Sequence, residues 1–404
     1  MLDEGNTTST RDVAHRGCGE EVRSGERPRR IMAAQRKSNR RQFLTGGAAI
    51  EALRDVVDAA DPASVPAAVG DPAGARPAPA VGTHLLKIGR RAMACEFEVV
   101  LNADRQAVAT EAAIEVLDLI DALEDQLTVY RGHSEVSQIN RRAAHERVLL
   151  ETRLAELLAE AVRLSQLTDG AFDITAGPLV KVWGFYRRQG CVPAEDELRQ
   201  ALQRVGTRWL ELDLQARTIH FARPGMEINL GGIGKGYALD RCAERLREAG
   251  VDDFLLHGGL SSVLAHGSRA DARDSGGGWT VGIRHPLRPQ RRLAEVRLRD
   301  RALGTSGSGT QHFHHRGRRF GHILDPRTGQ PAEGVLSATV LAPTAAVADA
   351  LATALCVLGL DRSKEVLARH PDLAALLVCP GARSGAVELH ALGLDDQDWR
   401  PIEP

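Results

Sequence analysis

The sequence has almost no net charge, no paired-cysteine motif and no long uninterrupted apolar run, and each absence removes a class of function. With 52 Lys plus Arg against 53 Asp plus Glu in 404 residues, no global excess of charge points to a nucleic-acid or membrane-surface partner. The six cysteines (Cys18, Cys95, Cys191, Cys242, Cys356 and Cys379) lie far apart without a CxxC, which argues against a zinc knuckle or a disulfide framework. Cys356 and Cys379 sit in apolar runs and read as core thiols. No stretch reaches the roughly 18 to 20 apolar residues of a spanning helix, so no transmembrane span is expected. What is present is a hydrophobic content of 43%, enough for a sizeable core in two domains or one large one.

Residues 1–85 are rich in Arg, Ser, Gly, Ala and Pro and end in a Pro-Ala linker; this composition reads as a disordered leader. Within it, Ser38-Asn39-Arg40-Arg41-Gln42-Phe43-Leu44 looks like a twin-arginine export signal, with Met32 as an alternative start. The apolar run after it is short, cut by Glu51, Arg54 and Asp55, whereas a signal needs about 7 to 15 apolar residues. The expectation is export to the periplasm or the outer face of the inner membrane, with a cytoplasmic location as the alternative.

Folded sequence begins near His84. A strand pair (84–102) precedes a helix from about Arg105 to Leu127, a polar loop carrying Tyr130, Ser134 and Glu135, and a helix from Thr152 to Thr168 ending at Asp169-Gly170. Asp173 and Thr175 fall in a short Gly-bounded strand or turn, and the charged segment 186–208 reads as a helix plus surface loop. A β-hairpin pattern (210–230) runs into Gly231-Gly232-Ile233-Gly234-Lys235-Gly236 and a helix. That layout presents backbone N–H groups to phosphate, with Lys235 as counter-charge; a tight turn packed against the core is the plainer reading. The spacing is neither a Walker A motif nor a dinucleotide fingerprint. The later strands suggest a mixed sheet, the residues beyond Leu392 a polar tail, and the whole an α/β (α+β) fold with helices packed on sheets across 86–395.

The run Gly321–Leu360 concentrates the candidate chemistry. Its last 26 residues, Val335 to Leu360, hold one charge, Asp349, with Thr353 at i+4 on the same helix face. An ionised carboxylate in apolar company needs a hydrogen-bond network, a salt bridge or a cation such as Mg²⁺. Upstream, Leu303 to Thr310 gathers glycines and hydroxyls that allow close approach to a ligand. Four of the fourteen histidines follow in a predicted hairpin; His312, His314 and His315 read as solvated surface, whereas His322, ahead of Ile323-Leu324-Asp325-Pro326, is expected to be held against the core beside a carboxylate, as a general base would be.

The ordered motifs, namely Met93 in the first strand, TVYRGHSEVSQIN, GAFDITAGPLVKVWGF, INLGGIGKGYALD, GTSGSGTQ, HILDPRTGQP and VADALATAL, resemble those of the FAD:protein FMN transferases, the ApbE or thiamine-biosynthesis lipoprotein family, over about residues 88–380. The resemblance implies an enzyme that binds FAD and Mg²⁺, splits the pyrophosphate, attaches FMN through a phosphoester bond to a Thr or Ser of a flavoprotein acceptor, and releases AMP. It implies Mg²⁺ ligands at Gly232, Asp349 and Thr353, FAD contacts at Met93, Tyr130, Ala171, Phe172, Asp173, Asn229, Lys235 and Leu324, and a catalytic base at His322.

Several positions depart from that pattern. Met93-Ala94-Cys95 stands where the family has Met-Gly-Thr, Gly258-Gly259-Leu260-Ser261 where many relatives have Gly-Gly-Asp, and Asn229 where an acid is common; no lipobox cysteine follows the leader. The same pocket would also serve an FAD pyrophosphatase yielding FMN and AMP, or a non-catalytic flavin-binding exported protein. A His-rich metallohydrolase is disfavoured because no HExxH spacing is present.

Overall fold

The computed structural model describes residues 84–402 apart from 104–105, 308, 310 and 384; the leader and its twin-arginine pair lie outside the described residues. The spine is an eight-stranded sheet in the order β1-β2-β6-β7-β10-β13-β14-β15. Its strands are β1 (Leu85–Ala92), β2 (Cys95–Asn102), β6 (Phe254–Gly258), β7 (Ser262–His266), β10 (Arg301–Gly307), β13 (Ser337–Ala342), β14 (Ala374–Pro380) and β15 (Val387–Leu392). The α/β class is as expected. The strands, however, do not mix directions: every neighbouring pair is antiparallel. Antiparallel neighbours can be joined by tight turns, as β1–β2 and β6–β7 are, whereas parallel ones require long crossovers.

Period-two alternation divides the core between the two faces of this sheet. One face, with Phe97, Val99, Leu256, Val340 and Leu377, packs on the helices. These are α1 (Gln106–Leu127), α2 (Glu135–Arg142), α3 (Thr152–Leu167), α4 (Gly177–Val182), α5 (Glu195–Leu202), α6 (Gly234–Glu248) and α7 (Ala345–Ala368). The other face, with Val100, Val263, Leu303, Leu341 and Leu376, packs on Trp279, Ile283, Ala294, Val296 and Leu298. Those residues belong to a small sheet ordered β16-β9-β8, made of β8 (Trp279–His285), β9 (Arg288–Leu298) and β16 (Trp399–Pro401). The segment expected to be a polar tail is therefore an edge strand, and a domain end at 395 would leave it out. Its pattern is too short to read, since only Trp399 turns towards the core.

The remaining strands are β3 (Val148–Leu149), β4 (Leu210–Asp213) and β5 (Thr218–Phe221) in one sheet, and the hairpin of β11 (His312–His315) and β12 (Arg318–Gly321). A third apolar cluster, Leu179, Trp183, Phe185, Phe320 and Leu324, seats that hairpin against α4 and α5. Up to Leu360 helix α7 is buried or half-buried all round, as its apolar sequence there requires, whereas Asp361, Arg362, Lys364 and Glu365 beyond it are exposed. Gly359 adopts φ 75° and ψ 179° within it, so the axis breaks there and a second helical stretch continues. The polar loop expected around Ser134 contains α2, capped by Ser134, whose side chain accepts from Ser137 N.

Candidate active site

The site is built where the starts of α6 and α7 meet. Helix α6 begins directly after the glycine turn, which puts Lys235 and Gly236 in its first turn. Asp349, 6% exposed, reaches it from α7: Gly236 N donates to Asp349 Oδ2 at 2.8 Å, and Lys235 Nζ lies 3.8 Å from the same oxygen. Ser262 Oγ, on β7, sits 2.7 Å from both carboxylate oxygens. In return Asp240 of α6 accepts from Ala345 N at 2.7 Å and Ala346 N at 2.8 Å. Each helix thus supplies a carboxylate that caps the other, satisfying N–H groups that have no partner within their own helix. The contact is close enough to require glycine: a Cβ on Gly236 would lie 2.0 Å from Ala345 O. Burial pushes the Asp349 carboxyl above its ordinary range, opposed by Lys235, Ser262 and Gly236. Asp240 is pushed up to about 7, again by burial and against its two amide donors.

Two of the three partners open to a lone buried carboxylate are therefore present, the hydrogen-bond network and the salt bridge. The third, a cation, is tested by the donor chemistry around Asp349. Thr353 Oγ1 donates to Asp349 O at 3.2 Å and lies 3.0 Å from Ser306 Oγ. A Cβ on Gly232 would sit 3.6 Å from Thr353 Oγ1 and 3.2 Å from the Phe172 ring, so Gly232, Asp349 and Thr353 are brought together. Among the described residues no group of three or more His, Cys, Asp or Glu is arranged to hold a metal. A set of carboxylate, hydroxyl and backbone oxygens with a single acid instead fits Mg²⁺, which binds through one or two carboxylates together with substrate phosphates.

His322 follows β12. Its Nδ1 lies 3.0 Å from Gln311 O, and its backbone N donates to the same carbonyl at 3.2 Å. A carbonyl only accepts, so Nδ1 carries the proton and Nε2 keeps a lone pair. Burial pushes the imidazole below 6.5 and Lys235 adds to this, while the Gln311 hydrogen bond opposes it. The carboxylate expected beside His322 is engaged elsewhere: Asp325 takes both Nε and an Nη of Arg327 at 2.9 Å. The backbone of Gln311, not an acid, orients the ring. His312, His314 and His315 are exposed, as expected of a solvated hairpin face.

The residues expected to touch a flavin nucleotide fall into groups. Tyr130, 64% exposed, stacks on Tyr186 with ring centroids 4.8 Å apart; both line a cavity of about 300 Å³ with Asn229, Lys181 and Glu227. Asn229 Oδ1 accepts from Gly231 N at 2.8 Å and so shapes the glycine turn. Phe172 abuts Gly232, with Ala171 buried behind it. Met93 and Ala94 form the two-residue β1–β2 turn with φ 48° and 60°. The backbone there is left-handed, which suits glycine and costs an L-residue roughly 1–2 kcal/mol. Leu324 is buried in the third cluster and bridges to Pro331. Asp173 stands apart. Thr175 N and Oγ1 and Thr207 N all donate to its carboxylate, at 2.7, 2.5 and 3.0 Å, and it lines a separate cavity of about 410 Å³ with Arg208 and Arg327. Its side chain ties the 171–175 segment to 206–207.

Comparison with known proteins decides the family. Residues 93–377 match the model of the ApbE family. The chain belongs to the ApbE family. It is 34% identical over 268 residues to the FAD:protein FMN transferase of Vibrio cholerae, covering 65% of this chain and 77% of that protein. It is 30% identical over 306 residues to the FAD:protein FMN transferase of Haemophilus influenzae, covering 73% and 87%. Among solved structures, the flavin transferase ApbE from Vibrio cholerae superposes with a TM-score of 0.66 at 28% identity, over 77% of this chain and 97% of that one. The ApbE protein of Thermotoga maritima does so with 0.67 at 29%, over 76% and 96%. The expected ApbE-like fold is thus found, and the curated relatives carry the names of enzymes.

Within this ApbE chain, sequence reasoning missed Ser262, Asp240, Gln311 and Tyr186. Ser262 left a signal: it shares the helix-side face of β7 with Leu264, where a hydroxyl needs a buried partner. Gln311 left none, because it acts through its backbone.

Proposed function

We propose that this chain is a Mg²⁺-dependent FAD:protein FMN transferase that splits FAD, attaches FMN through a phosphoester bond to a Thr or Ser of a flavoprotein acceptor, and releases AMP. The observation that carries the proposal is the convergence on Lys235. It lies 3.8 Å from Asp349, which is grouped with Gly232 and Thr353, and its charge acts on His322. Lys235 and the N-terminus of α6 offset the negative charge of the pyrophosphate. Gly232, Asp349 and Thr353 would hold Mg²⁺, which supplies charge neutralisation on the phosphate oxygens. His322 Nε2 takes the proton of the acceptor hydroxyl as that oxygen attacks the phosphorus on the FMN side. The bond from this phosphorus to the bridging oxygen breaks, and AMP leaves with that oxygen. Such proton transfer contributes about 10²- to 10⁴-fold in rate. Met93, Tyr130, Ala171, Phe172, Asn229 and Leu324 hold the FAD, and Asp173 fixes the segment that presents Phe172. The twin-arginine reading of the leader extends the proposal to an exported enzyme.

The test is incubation with FAD, Mg²⁺ and a Thr-containing acceptor domain, following AMP and flavin that survives denaturation on the protein. AMP with acceptor-bound FMN is expected. AMP with free FMN would make the protein a pyrophosphatase, and neither product would make it a flavin-binding protein. Asp349→Ala should abolish Mg²⁺-dependent turnover, and full activity in that variant would remove Asp349 from the metal site.

A further inference from the structure

We propose that two arginine-rich hairpins beside His322 form a docking surface for an acidic segment of the acceptor protein; the inference rests on the transferase reading above. The β8–β9 turn region, 284–292, contains Arg284, Arg288, Arg291 and Arg292, and the β11–β12 hairpin contains Arg316, Arg318 and Arg319. Neither segment contains an Asp or Glu. In a chain whose formal net charge is −1, this is a local excess. Some exposed arginines elsewhere are matched, as Arg142 is by Glu146 and Arg163 by Glu160, and others, among them Arg187, Arg188 and Arg369, stand singly among the described residues; what sets these two segments apart is that they gather seven arginines and no acid. Here Arg292 has Glu295 and Arg318 has Glu333, but Arg284, Arg288, Arg291 and Arg316, all exposed, make no ion pair among the described residues. Their field reaches the neighbouring His285, which burial and then Arg288 and Arg291 push below 6.5.

The two hairpins meet next to the proposed base. A Cβ on Gly309 would lie 3.1 Å from Pro286 O at the β8–β9 turn, and Gly309 is two residues before Gln311, whose carbonyl holds His322. The β11–β12 half of the surface is packed: Phe313 and Phe320 stack at 5.3 Å and Phe320 lies 5.7 Å from Trp183, so Arg316, Arg318 and Arg319 ride on a packed hairpin. Leu287, 41% exposed at the tip of the β8–β9 turn, adds an apolar contact. The rim thus lies next to the Gln311 anchor of His322, and unmatched like charges kept in one place favour a partner of opposite sign.

The test uses the full chain loaded with FAD and Mg²⁺, and two labelled peptides: one Thr flanked by Asp and Glu, and its Asn/Gln counterpart. The wild type should bind the acidic peptide more tightly than the neutral one, with binding weakened by salt. The combined substitution Arg288→Glu, Arg291→Glu and Arg316→Glu should weaken acidic-peptide binding at least about tenfold while FAD affinity stays the same. Equal binding of the two peptides, unchanged binding by the substituted chain, or preference for phosphatidylglycerol vesicles over the acidic peptide would each overturn the surface. AMP and peptide-bound FMN in the same mixtures separate the two readings. Charge-dependent binding with no AMP would overturn the transferase reading, whereas transfer without charge dependence would overturn the docking surface alone.

Discussion

His322 is a neutral imidazole with a defined tautomer because three neighbours act on it: the surrounding protein that buries it, Lys235, and the Gln311 carbonyl that fixes the Nδ1 proton. Burial and Lys235 lower its pKa and the carbonyl raises it. A histidine whose folded pKa lies below its unfolded value stays unprotonated to lower pH. The acid limb of kcat/KM should therefore lie below 6.5, the ordinary imidazole value. For stability the sign is the same: the unfolded chain binds the proton more readily, so the contribution is complete above 6.5 and is lost as pH falls through the lowered folded value. Lys235→Met removes one of the lowering causes. Its residual activity should be smaller but its acid limb should move up towards 6.5, and the His322 ring resonances should titrate with it. A limb that stays put would show that the Lys235 charge does not reach His322. His322→Ala should leave FAD affinity nearly unchanged while slowing transfer by about a hundredfold or more.

Between elements, the reciprocal capping of α6 and α7 couples stability to the site, because α7 carries Asp349 and Thr353 and its start is held by Asp240. Asp240→Ala leaves two buried amides without an acceptor, a loss of about 1–2 kcal/mol, with only the weak Thr344 cap to Val347 N at 3.4 Å remaining. The variant should melt lower and also need more Mg²⁺ to reach half-maximal activity, and Asp240→Asn, which keeps an acceptor, should recover part of both. Lower melting with an unchanged Mg²⁺ requirement would break the proposed link. Most elements were legible because their periodicity is strong: the β1–β2 pair, α1, α3, the β4–β5 hairpin and the apolar α7. The glycine turn was legible as a special backbone, and the tight Gly236–Ala345 contact gives its physical reason. Helix α2 was not read, although Ser134 precedes Val136 and Ile139 at a helical interval, since its eight residues are mostly polar. The carboxylate of Asp349 was legible as a lone charge, but its partner amide at Gly236, the Ala345 and Ala346 amides and the Gln311 carbonyl are backbone atoms, which leave no side-chain signature.

At the scale of the whole molecule, the eight-stranded sheet separates two tasks. Its helix side holds Asp349, Ser262 and the glycine turn, while the opposite side is covered by β8, β9 and β16. Strand β16 pairs Trp399 with Val296, Arg400 with Glu295 and Pro401 with Ala294. The segment is further fixed by Arg297 N donating to Asp398 O at 2.7 Å, Ile402 N donating to Leu293 O at 2.8 Å, and Arg400 bonding Glu295. Ending the chain at Asp395 removes all of these and uncovers the apolar surface under Trp399. Losing a contact of that size costs about 2 kcal/mol, which for a domain of this length lowers Tm by a few degrees. Sites on opposite faces that share no partner contribute independently. Melting and FAD titration of the shortened chain should therefore part company, with Tm falling and FAD affinity holding within about twofold. A fall in FAD affinity as large as the loss of stability would mean that the small sheet supports the site through β7 and β10, which it covers.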